Sequence, residues 1–103
     1  MGGGSTVVLE ATDVWYHSRG DEAAFFEWLN SIPSVRSYGG RLSTLEIVVE
    51  TPVDDGSLRE LLALFYRYRI GLAQLRQLDN SQIGHWFRDP QKRWHRDVFG
   101  PPA

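Results

Sequence analysis

The chain has 103 residues, a formal net charge of −2 and no cysteine. A chain this long can bury a core without metal or cross-link, and the lack of cysteine excludes a disulfide framework and thiolate metal sites. No apolar run approaches the about 20 residues that span a bilayer and no signal peptide is legible, so the expectation is a cytoplasmic chain with no membrane partner.

Charge is polarised along the chain. Before residue 66 there are four arginines against ten acids, and after it six arginines and one lysine against three aspartates. Opposite halves can fold against each other, and a uniform basic field that would hold nucleic acid by counterion release is absent.

Met1–Ser5 (MGGGS) reads as a flexible leader, and residues 6–100 as a single domain that includes a tail at 80–100. From Thr6 to Val14 the residues alternate, with Val7, Leu9 and Ala11 on one side and Val8, Glu10 and Thr12 on the other, which predicts a strand with one buried face. After Trp15–His17, Ser18 stands three residues before Asp21 at a capping-box-like spacing. Phe25, Trp28, Leu29 and Ile32 then recur at helical intervals until Pro33, which predicts a helix over about 20–31.

Two extended runs follow, Val35–Tyr38 and Arg41–Glu50, and the glycines 39 and 40 between them suit a tight hairpin turn. Pro52 ends the second run. Asp54, Asp55 and Ser57 supply polar caps for a second helix, in which Leu58, Leu61, Leu62 and Phe65 form the buried stripe. Residues 70–78 read as a fourth strand, although Leu72, Leu75 and Leu78 recur at every third position.

The resulting fold class is α+β, a ferredoxin-like βαββαβ plait with an antiparallel sheet, both helices on one face, and an aromatic C-terminal tail. Right-handed crossovers are expected to make the first and third strands parallel neighbours, so that both helices start at the same end. On that geometry Asp21 and Glu22 share a rim with Asp54 and Asp55, with Trp15, Tyr16 and His17 leading into it. The opposite sheet face, carrying Val8, Glu10, Thr12, Leu42, Thr44, Glu46 and Val48, would be left open. The tail is expected to cover it with Trp86, Phe87, Trp94, Val98 and Phe99.

No catalytic or metal constellation is complete. His85 and His95 lie ten residues apart across a proline, not at the i, i+4 spacing of a helical metal pair, so neither metal nor cofactor is expected. Arginines among the tail aromatics would suit a single-stranded nucleic acid, but Glu10 and Glu46 occupy the strand positions where plait-type RNA binders place aromatics, and they repel phosphate. Nucleic acid is therefore not an expected partner.

The succession Phe25–Leu29, Ile32–Val35, the glycine pair, Leu58–Leu61 with Leu64–Tyr68, then Trp86–Phe87, Trp94 and Val98–Gly100 resembles a group of small bacterial proteins. These are found beside polymorphic toxin genes of the contact-dependent or Rhs type and are similar to immunity proteins. The resemblance implies a cytoplasmic, non-enzymatic protein that binds and neutralises the toxic domain of an effector, often a cationic nuclease. It carries over no binding residues. From the residues themselves, the expected partner-binding set is Trp15 and Tyr16 as anchors with Asp13, Asp21, Glu22, Asp54 and Asp55 around them, because complementary charge speeds encounter and desolvated aromatics hold the complex. The alternatives are a self-associating or small-ligand-binding plait, as monomer or homodimer, and a single-strand binder acting through the tail.

Overall fold

The computed structural model describes residues 5–101. In chain order these form β1 (Ser5–Thr12), α1 (Arg19–Asn30), β2 (Val35–Arg41), β3 (Thr44–Thr51) and α2 (Asp55–Tyr68). Two 3-10 helices, Leu72–Leu78 and His85–Arg88, and a short α3 (His95–Phe99) complete the chain. Of the expected leader, residues 1–4 lie outside the described residues, and Ser5 opens β1. No described helix is long and apolar enough to cross a membrane.

The fold is α+β. Its sheet has three strands in the order β1–β3–β2, with both neighbouring pairs antiparallel. Leu9 and Ala11 of β1 and Ile47 and Val49 of β3 are buried against Phe25 and Leu29 of α1 and Leu58, Leu61 and Phe65 of α2 in one apolar cluster. That pattern follows from period two in the strands and a three-to-four spacing in the helices. Trp28 Nε1 donates to Glu60 Oε1 at 2.8 Å and ties the two helices together.

Four expectations are corrected. The glycine pair is not the hairpin turn: Gly39 and Gly40 lie within β2, and the chain reverses at Leu42–Ser43, between the paired Arg41 and Thr44. The longer ladder sets Tyr38 opposite Ile47. It also lets the Tyr38 ring pack 5.4 Å from Phe26 while its hydroxyl donates to Asn30 Oδ1 at 3.0 Å. A turn at the glycines would forfeit that burial.

Residues 70–78 are not a fourth strand. Leu72, Leu75 and Leu78 are all buried along one stripe of the 3-10 helix, whose three residues per turn match their spacing. In a strand Leu72 and Leu75 would face opposite sides.

The helices do not start at a common end. β1 and β3 are antiparallel rather than parallel, because the hairpin turns β3 back against β2 and inserts it beside β1. α1 therefore leaves one end of the sheet and α2 the other. Tyr68, in the last turn of α2, donates to Asp21 Oδ1 at 2.9 Å at the start of α1. At the opposite end Ser34, just past α1, donates to Asp54 Oδ1 at 3.2 Å at the start of α2.

The tail is folded into the body, with Ile83, Phe87 and Val98 buried, but it does not cover the open sheet face. It packs on α2 and the first 3-10 helix, and Val8 on the sheet remains 50% exposed. The cause lies at Asp55, where one carboxylate captures the tail at the N-terminus of α2. Its Oδ1 accepts from Gly84 N at 2.9 Å and from Trp86 Nε1 at 2.6 Å.

Candidate functional site

The end of the domain where α1 begins is built from two reversals, the β1–α1 loop and the β2–β3 turn, which Asp13 joins by donating its N–H to Ser43 O at 3.0 Å. Ser18 caps α1 by accepting from Asp21 N at 3.1 Å, and Asp21 Oδ2 reaches back to accept from His17 N at 2.9 Å. This reciprocal bonding holds the 13–18 loop against the helix start. The His17 N–H, then the Tyr68 hydroxyl, holds the Asp21 carboxyl below its ordinary value. Burial, then the bond to Asp21, pushes the Tyr68 hydroxyl up.

The loop splits its two aromatics. Tyr16 turns inward, 5.5 Å from Phe25 and 6.1 Å from Tyr68 between ring centroids, and burial, then Glu22, raises its pKa. Trp15 turns outward and is 73% exposed, with His17 edge-on at 6.4 Å. Asp13, Trp15, His17, Asp21 and Tyr68 line a cavity of about 460 Å³ together with Arg67 and Arg69. Across the β2–β3 turn, Leu42 is fully exposed, and with Asp13 and Tyr16 it borders a second cavity of about 350 Å³.

The backbone is unusual at this end. Asp13, Leu42 and Arg69 have φ of 55°, 57° and 60°, and they are the non-glycine residues in the left-handed region among those described. Side chains with a Cβ are disfavoured there, and such residues gather where surrounding structure and function over-determine them. Leu42 is the most informative, since hairpin turns normally give such a position to glycine or asparagine. Its side chain gains no burial in exchange.

Of the expected partner-binding residues, the fold brings Asp13, Trp15, Tyr16, Asp21 and Glu22 to this end and places Asp54 and Asp55 at the other. Those two carboxylates are engaged inside the domain. Asp54 caps α2, accepting from Ser57 N at 2.9 Å and from Ser57 Oγ at 2.7 Å. Asp55, besides Gly84 and Trp86, accepts from Arg59 Nε at 2.9 Å through Oδ2. The shared acidic rim is thus two separate clusters. No family model, curated protein or solved structure matches the chain.

Sequence reasoning placed His17 beside Trp15 at this surface but missed Leu42, Arg67 and Arg69 as members of it. Leu42 was hidden by the glycine pair, which drew the turn three residues early. Arg67 and Arg69 arrive only because the antiparallel helices bring the end of α2 beside the start of α1, and neither forms an ion pair among the described residues. No group of three or more potential metal ligands occurs among the described residues.

Proposed function

We propose that this chain is a non-enzymatic protein-binding module, an immunity-type protein of the bacterial cytoplasm that docks a cognate toxin domain through the Trp15–Leu42 end. The observation that carries this reading is the coincidence at one end of the two most exposed large apolar side chains among the described residues with the left-handed Asp13 and Leu42. The left-handed Arg69 is the ordinary C-cap of α2. Trp15 and Leu42, exposed on two cavities that share Asp13, supply apolar anchors for a docking patch, and Asp13 and Glu22 with Arg67 and Arg69 supply charges of both signs to orient a partner. The element order and the β1–β3–β2 sheet support reading the architecture as a ferredoxin-like plait whose outer strand is replaced by a 3-10 helix.

The test is neutralisation. Co-expression with the C-terminal toxic domain of a large secreted protein encoded one gene upstream should restore growth. Trp15→Asp and Leu42→Asp should abolish the rescue without lowering Tm. Rescue untouched by both substitutions would remove this end as the docking surface.

A second reading is self-association through the open sheet face, favoured by the directly opposed Val8 and Val48 on it. Light scattering of Val8→Asp beside the parent separates the two. A dimer lost on that substitution supports self-association, and a monomer in both cases opposes it.

A further inference from the structure

A second aromatic cluster lies on α2, away from the surface just described. Trp86 is held from three sides. Its Nε1 donates to Asp55 Oδ1 at 2.6 Å, and the Arg59 guanidinium lies 4.3 Å above its ring. On the third side a Cβ on Gly84 would stand 2.9 Å from Trp86 Cδ1, so the indole seats as it does only beside a glycine. These contacts, all within the chain, set the position of the indole without a ligand. Trp94, half-buried, stands 6.0 Å away with its plane turned by 75°. Leu62, Ala63 and the half-exposed Tyr66 of α2 complete a corner of about 370 Å³.

The charge of the corner selects among ligands. Lys92 lines it and pairs with no carboxylate among the described residues, while the Arg59 charge is shared with Asp55. No carboxylate lines the cavity. A cationic guest is therefore disfavoured, and a purely aliphatic one would leave the ammonium group unused. We infer that the corner binds the base of a nucleotide, stacked on its aromatic walls with the phosphate against Lys92. The glutamates that argue against nucleic acid in the sequence, Glu10 and Glu46, face the open side of the sheet, whereas α2 packs on the other. Their repulsion is directed elsewhere. This site is independent of toxin docking at the Trp15 end.

The same chemistry is offered by a free mononucleotide and by a single strand. Two-dimensional NMR of the full chain distinguishes them, following indole and backbone N–H signals during titration with AMP and, separately, with an oligothymidylate about eight nucleotides long. The indole signals of Trp86 and Trp94 and the amide of Lys92 should shift saturably. Trp94→Ala should remove the response, and Lys92→Glu, at an exposed position that keeps the fold intact, should weaken it about tenfold. AMP binding as tightly as the oligonucleotide assigns the site to free nucleotides. Tighter, salt-sensitive oligonucleotide binding assigns it to single strands. Absence of shifts at millimolar ligand, shifts confined to other regions, or a Lys92→Glu variant that binds like the parent would overturn the inference.

Discussion

The side-chain amide of Gln74 holds both backbone groups of Glu10, accepting from Glu10 N at 2.6 Å and donating to Glu10 O at 2.8 Å. One glutamine thereby supplies the pair of bonds that a neighbouring strand would make at this point of β1, whose outer edge has no strand beside it among the described residues. An unpaired edge invites pairing with another chain, and covering it is a usual defence.

Replacing Gln74 should therefore weaken the edge. Gln74→Ala should lower stability by about 1–3 kcal/mol and speed amide exchange at Glu10. Gln74→Glu should behave no better, because a carboxylate cannot donate to Glu10 O. Denaturant unfolding and hydrogen exchange measure both effects, and protection at Glu10 equal to the parent would contradict the role.

Acid should loosen the tail. Bonds from the Gly84 N–H, the Trp86 indole and Arg59 lower the Asp55 carboxyl from 3.8 to about 2. A depressed folded value means that the stabilisation is complete above the unfolded value and is lost as pH falls through the folded one. Asp21 and Asp54, also lowered, act with the same sign. Stability should thus drop between pH 3.8 and about 2. Asp55→Asn should be less stable than the parent at neutral pH and should show a shallower fall across that window in pH-dependent unfolding.

At Gly84 an alanine should displace the Trp86 indole, since the added methyl would stand 2.9 Å from Cδ1 of a ring that cannot flex away. Overpacking of this kind costs about 1–3 kcal/mol. Near-ultraviolet circular dichroism and thermal unfolding of Gly84→Ala should report a loosened tail and a lower Tm. An unchanged tryptophan signature would show that the seat is more forgiving.

Glu10 and Glu46 are directly opposed on the open sheet face, and Glu46 is approached by Arg41 at 3.6 Å while Glu10 has no such partner among the described residues. Like charges facing across a strand pair destabilise it. Glu10→Lys should raise stability by about 0.2–1 kcal/mol, with the gain shrinking at high salt. Chemical denaturation at two ionic strengths provides the check.

Leu42 offers a trade between stability and binding. Asparagine tolerates the left-handed backbone better than leucine, and the fully exposed Leu42 side chain has no packing to lose. Leu42→Asn should stabilise the chain by about 1 kcal/mol while weakening the proposed docking patch. Lower stability in the variant would mean that the leucine makes contacts which its exposure conceals.

Much of the fold could be read from residue periods. The Leu9–Ala11 and Ile47–Val49 alternations, the Ser18 and Asp54 caps and the leucine stripe of α2 each express their geometry within one or two turns of chain. The every-third spacing of Leu72, Leu75 and Leu78 was equally legible, but the expectation of a closing fourth strand overrode it. The candidate site was half legible. Trp15 with Asp13, Asp21 and Glu22 is local in sequence, whereas Leu42, Arg67 and Arg69 join it only through the packing of distant elements.

The sequence by itself determined which segments are strand and helix at the start of the chain and which of their faces are apolar, because those properties depend on neighbours a few residues away. Only the tertiary structure decided that the two acidic helix starts lie at opposite ends, that a 3-10 helix and one glutamine stand where a fourth strand was expected, and that the aromatic tail seats on α2. Each of these outcomes depends on a non-local contact: the reversal of β3 between β1 and β2, the Gln74 amide on Glu10, and the Asp55 carboxylate on Gly84 and Trp86. Their partners are separated by tens of residues, and no local period encodes such a meeting.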